Sequence, residues 1–179
     1  KMTDLTEQAL HLGATTVFTA SEVIQLQTEL AKLGYSVKDI LNMAPSVLDF
    51  AQATGSSLAD AASLTGAALR MFEKDTTHAQ EFTDKMTAST TKSALSFSFL
   101  QNAMSTVSPV ANAFGFKIEE VLALLGQLAN AGFDASSAAT ATRNILLNLA
   151  DTNGKLAQAL GQPVSNLDDL IAGLNTLKD

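Results

Sequence analysis

The side chains best suited to chemistry are few and far apart. His11 and His78 are the only histidines, and each lacks a second histidine four residues away, the spacing by which one helical face holds zinc. Surface or capping roles suit them better. The adjacent carboxylates Glu119–Glu120 and Asp168–Asp169 suggest acid/base pairs of the glycosidase kind, but neighbours on a helix diverge by about 100°. Helix capping and the helix dipole account for them instead. Gly13, Gly34, Gly55, Gly115, Gly132 and Gly161 stand singly, so no glycine-rich phosphate loop exists and these residues punctuate helices. No serine lies in a nucleophile elbow. With no cysteine, disulfides, thiolate metal sites and cysteine nucleophiles are excluded, and the redox compartment stays undecided. The expectation is therefore a protein that is not an enzyme, with no catalytic, cofactor-binding or metal-binding residues and no cofactor.

Two arginines draw notice because arginine is scarce. Arg70 and Arg143 lie among small apolar residues, where a bidentate carboxylate would pin neighbouring helices; the plainer reading is an exposed, snorkelling side chain. The aromatics Phe18, Phe50, Phe72, Phe82, Phe99, Phe114, Phe116 and Phe133 fall at helix ends or on apolar stripes and read as core anchors.

The elements that carry these residues are helical. Val23, Leu26, Leu30 and Leu33 recur at three- and four-residue intervals, with Gln25, Thr28, Glu29 and Lys32 pointing elsewhere. Thr19 to Glu22 forms a capping box at the start of this stripe, and Gly34 ends it. The same grammar opens stripes at Ser36 to Asp39, Ser57 to Asp60 and Asn166 to Asp169. The pattern predicts helices near 4–12, 20–33, 37–53, 58–73, 77–88, 91–107, 110–114, 117–131, 136–150, 154–160 and 167–177, with Pro45 kinking or splitting the third. The alternation Ser96, Phe97, Ser98, Phe99 is too short for a strand, and the hydroxyl run at 87–93 reads as close-packing or solvated helix surface. The fold class expected is all-α: a compact multi-helix bundle of short amphipathic helices and helical hairpins. It is taken as a single helical domain over 1–179, with a radius of gyration near the ~16 Å of a globule.

Two internal echoes run through this pattern. Residues 22–35 laid on 120–133 share Glu, Val, Leu, Leu, Ala and Gly, while 51–60 laid on 111–120 share Ala, Ala and Gly. The shifts, 98 and 60 residues, differ, so the sequence points to one helical hairpin theme used more than once rather than a regular solenoid.

Composition narrows the partners. Charged residues make up 16 % of the chain, below the roughly 25 % of ordinary domains, so the surface is rich in Ser, Thr, Asn, Gln and Ala and favours self-association or burial in an assembly. A net charge of −7 without a basic cluster argues against specific nucleic-acid binding. Apolar runs such as 121–125 fall far short of the ~20 residues of a transmembrane helix, so no transmembrane segment is expected. The N-terminus lacks the pattern of a signal peptide, and Lys1 before Met2 suggests an excised fragment.

Particular strings then carry a resemblance. GATTVFTASEV at 13–23, LAKLGYS at 30–36 and the long stretch at 100–149, with Pro–Val–Ala before a glycine and Ala–Gly–aromatic before an arginine, resemble the core region of phage tail tape measure proteins. The resemblance covers about residues 10–150, and 151–179 fit as C-terminal helices. The pattern residues are Thr16, Phe18, Glu22, Gly34, Pro109, Ala111, Gly115, Glu120, Leu128, Gly132 and Arg143; Ala139 departs from the glycine often expected there. The resemblance implies a fragment of a longer tail assembly protein that occupies the tail lumen, sets tail length and takes part in DNA ejection. It implies other tail proteins as partners, namely the tail tube and tail assembly chaperones, and also copies of the chain itself. The place implied is the virion tail, or the bacterial cytoplasm during assembly. The alternative from the residues alone is an adaptor-like helical module that binds partner helices in a groove.

Overall fold

The computed structural model describes residues 2–151, 154–164 and 166–176. Among these residues the regular structure is wholly helical, in agreement with the all-α expectation. The helices are α1 Met2–Thr15, α2 Ala20–Lys32, α3 Val37–Thr54, α4 Leu58–Met71, α5 Ala79–Lys92, α6 Phe97–Ala113, α7 Ile118–Asn130, α8 Ala135–Ala150, α9 Lys155–Leu160 and α10 Leu167–Thr176. A single 3-10 turn, Thr76–His78, precedes α5.

Polar caps start these helices as their sequences require. At α2 the Thr19 hydroxyl accepts the Glu22 N–H at 3.3 Å, while the Glu22 carboxylate accepts the Thr19 N–H at 2.7 Å. Ser36 and Asp39 make the same reciprocal pair at α3. Ser57 takes the Asp60 N–H at 3.1 Å, and Asn166 takes that of Asp169 at 2.8 Å. Each satisfies a first-turn amide that the helix itself leaves orphaned.

The helix ends share one corner. Gly55 (φ 66°) and Gly115 (φ 71°) take the left-handed conformation that only glycine adopts without cost. The next N–H in each case reaches back to a helix carbonyl, Ser56 to Ala51 at 3.2 Å and Phe116 to Ala111 at 2.9 Å. After α4 the same bond runs from Lys74 to Leu69 at 2.8 Å, but the left-handed position is held by Glu73, φ 52°.

Pro45 does not split α3. The helix runs unbroken from Val37 to Thr54 with the proline inside it. Proline removes the donor for the carbonyl four residues back, here Leu41, and the side-chain amide of Gln8 supplies one at 2.8 Å. Gln8 is itself held by Gln27, whose Nε2 donates to Gln8 Oε1 at 3.2 Å and to the Leu5 carbonyl at 2.9 Å. The expected pair of helices at 91–107 and 110–114 is likewise one helix, α6, with Pro109 on its exposed side. Its start is later than expected, because the Ser96 hydroxyl caps it at the Phe99 N–H, 3.1 Å away. Correspondingly α5 continues to Lys92, and the hydroxyl-rich run lies on it, with Ser89, Thr90 and Thr91 bonding back to carbonyls of Met86 and Thr87.

The helices group into two compact units, Lys1–Lys92 and Ser93–Asp179. In the first, α1 lies along α2, and α3 packs against α2, α4 and α5 around Leu26, Leu30, Met43, Val47, Phe50, Leu69, Phe82 and Met86, all at most 2 % exposed. In the second, α8 packs along α6 and against α7 around Leu100, Met104, Val107, Val121, Leu125 and Leu146, with α9 beside α8. No described helix is long and apolar enough to cross a membrane.

Candidate functional site

The groups considered for chemistry lie on separate elements and do not converge. His11 is exposed on α1, and His78 in the 3-10 turn lies 3.1 Å from Asp75 Oδ1, with 39 % and 71 % of the two side chains exposed. Glu120 is committed to the start of α7, where Oε2 accepts the Lys117 N–H at 2.8 Å. Many serine and threonine hydroxyls are spent on caps or on carbonyls one turn back, such as Thr16 on Leu12 at 2.8 Å and Thr54 on Phe50 at 2.7 Å. The Thr77 hydroxyl, 3.5 Å from His78 Nδ1, donates to the Asp75 carboxylate that caps the 3-10 turn.

Asp39 joins polar groups that are distant in the chain. Its Oδ2 accepts the Ser36 hydroxyl at 2.6 Å and the Ser36 N–H at 3.1 Å, and its Oδ1 accepts the hydroxyl of Thr76 at 2.8 Å. Asn42 donates to the same Thr76 oxygen at 3.4 Å. One carboxylate thus ties the corner between α2 and α3 to the turn ahead of α5. The Ser36 and Thr76 hydroxyls hold its carboxyl below the usual aspartate value. The sequence signals the Ser36 half of this arrangement and gives no sign of the Thr76 half, 37 residues away.

Arg70 finds a phenol instead of a carboxylate. Its Nη1 donates to the Tyr35 hydroxyl at 3.0 Å, and its guanidinium carbon lies 5.9 Å from the ring centroid. Burial raises the Tyr35 phenol above its ordinary value, with Arg70 opposing. The ring rests on Gly66 of α4, where a Cβ would lie 2.7 Å from the Tyr35 oxygen. Arg143 is exposed, the plainer of its two readings. Phe50, Phe82 and Phe116 are core anchors, but Phe114 and Phe133 are not, at 53 % and 46 % exposed. Both flank a corner glycine, Gly115 and Gly132, where the chain turns out of its helix. Other exposed apolar side chains are Leu10, Val17, Ile24 and Leu33 in the first unit and Ile171 and Leu174 on α10; Leu33 thus lies outside the buried stripe of Val23, Leu26 and Leu30.

The polar groups described above cap helix ends or tie one helix to another. The family of phage-related minor tail proteins matches this chain over residues 6–179. The chain belongs to that family. It is 31 % identical over 153 residues to the tape measure protein of Pneumococcus phage Dp-1, covering 86 % of this chain and 13 % of that protein. It is 29 % identical over 160 residues to the probable tape measure protein of Escherichia phage P2, covering 89 % of this chain and 20 % of that protein. The chain therefore spans at most a fifth of these relatives' length. No solved structure matches it.

In this tail-family chain the pattern residues fall mainly at helix ends. The Thr16 hydroxyl accepts the Phe18 N–H at 3.2 Å in the turn between α1 and α2, Glu22 closes a capping box, and the Glu120 carboxylate accepts the Lys117 N–H at the start of α7. Gly34, Gly115 and Gly132 all have positive φ. Ala111 is buried in α6 and Leu128 is half-buried in α7, its carbonyl accepting the Phe133 N–H at 3.0 Å. Pro109 and Arg143 are exposed. These positions set where helices begin and turn.

Proposed function

We propose that this chain is a segment of the tape measure of a phage or prophage tail, and that it works by packing without enzymatic chemistry. The supporting observation is the family match over nearly the whole chain, joined to two relatives that bear the tape measure name. In this reading the protein occupies the tail lumen, its length sets tail length, and it leaves as DNA is ejected. Its partners are the tail tube, tail assembly chaperones and its own copies, first in the bacterial cytoplasm and then in the virion. It needs no cofactor or metal. The net charge of −7 supports a lumen filler that does not hold DNA, since passing phosphates meet few cations.

In-frame deletion and in-frame duplication of the 1–179 coding segment in the intact phage gene test this. Electron microscopy of tails should show shortening and lengthening respectively, by up to about 270 Å for a segment drawn out as continuous helix at ~1.5 Å per residue. Tails of unaltered length in both strains would overturn it. We also propose that residues 1–179 unfold as one domain; a single calorimetric transition is expected, and two separate ones would contradict it.

A further inference from the structure

Two stretches of the chain are built on one plan at an offset of 60 residues. α3 and α6 start at Val37 and Phe97, and α4 and α7 at Leu58 and Ile118. Their caps Ser36 and Ser96 and their corner glycines Gly55 and Gly115 match at the same offset. The third helix of each set follows an aspartate cap, Asp75 or Asp134, 59 apart. In both sets that third helix packs along the first.

Burial repeats as well. Val47 and Val107 are both fully buried, as are Met43–Ala44 and Ala103–Met104, where the bulky side chain has changed places with its small neighbour and the combined volume is kept. The middle helices each carry a buried glycine, Gly66 and Gly126, and each receives the residue just ahead of the first helix's cap. Tyr35 lies over Gly66, with its oxygen 2.7 Å from where a Cβ would sit; at Gly126 the neighbours are Ser93 Oγ at 3.2 Å and Leu95 Cδ1 at 3.8 Å. Similar composition among alanine-rich helices does not generate a cap, a corner glycine and a buried glycine in the middle helix at one constant offset.

We infer that the chain is a tandem array of a three-helix module of 60 residues, α3–α4–α5 followed by α6–α7–α8, and that whole modules can be removed or added with the fold conserved. The helices ahead of the two modules also correspond, α2 ending at Lys32 and α5 at Lys92. Deleting residues 33–92 joins Lys32 to Ser93 and places α2 ahead of α6 in the chain as it now stands ahead of α3. This inference does not depend on the tail reading.

The test compares the purified chain lacking 33–92, the chain carrying 33–92 twice, and controls lacking 33–82 or 33–102. Circular dichroism at 222 nm should give the first two the parent's helicity per residue and a cooperative thermal transition, while both controls lose cooperativity. A cooperative transition in the lengthened chain alone still supports the module, since the shortened one forfeits the Gln8–Leu41 bond. Loss of cooperativity in both, or controls that fold equally well, would overturn it.

Discussion

The side-chain amide of Gln8 on α1 donates to the carbonyl of Leu41 on α3, 2.8 Å away, the oxygen that Pro45 leaves without a helical donor. Removing that amide strands a part-buried acceptor, so Gln8→Ala should cost about 1–2 kcal/mol. In a Pro45→Ala background the new N–H serves Leu41, and the cost should shrink to what the Gln27 contact contributes. A double-mutant cycle in urea measures this, and additive effects would show that the two residues are uncoupled.

Asp39 makes stability pH-dependent in a stated direction. Its folded pKa is depressed below the ordinary 3.8, so its contribution is fully present above that value and is lost as pH falls through the lower folded value. The gap in urea midpoint between the parent and Asp39→Asn should be widest above about pH 4 and close toward pH 2. A gap that stays constant across this range would mean that the carboxylate charge has no part in it.

Thr65 is fully buried in α4, and its hydroxyl has no hydrogen-bond partner among the described residues. Valine has the same shape without the buried polar atom, so Thr65→Val should stabilise by about 1 kcal/mol. For a chain of this size that is a rise of about 2–4 °C in melting temperature. A lower melting temperature would reveal a partner for the hydroxyl in solution.

Glu73 occupies the left-handed corner position that Gly55 and Gly115 fill elsewhere. Relief of its backbone strain outweighs the extra unfolded-state freedom of glycine, so Glu73→Gly should gain a net ~0.5–1 kcal/mol. Chemical denaturation checks the sign; destabilisation would place the cost of the corner elsewhere.

Much of the fold was legible because its determinants are local. Thr19 with Glu22, Ser36 with Asp39 and the glycine corners act within a few residues, so spacing alone reveals them. At Pro45 the helix is not split, and the reason was hidden: a proline's local penalty is visible in sequence, whereas Gln8, 33 residues from Leu41, is not. The lysine cap of α7 gave no signal at the cap itself, because the bond there runs from the Lys117 backbone to Glu120. The 60-residue echo showed only at 51–60, where the identities cluster; its remainder lies in matched burial, and exchanges such as Met43–Ala44 for Ala103–Met104 hide it from residue-by-residue comparison.

Within each unit the extensive packings join helices that are neighbours or next-but-one along the chain, as α1 with α2, α3 with α5 and α6 with α8. Contact order is therefore low, and each closure spends little loop entropy before apolar burial begins. Low contact order favours fast folding, and each helix triplet has its partners close by in the chain. A long protein assembled from segments of this kind exposes little unfinished core at any moment of its synthesis.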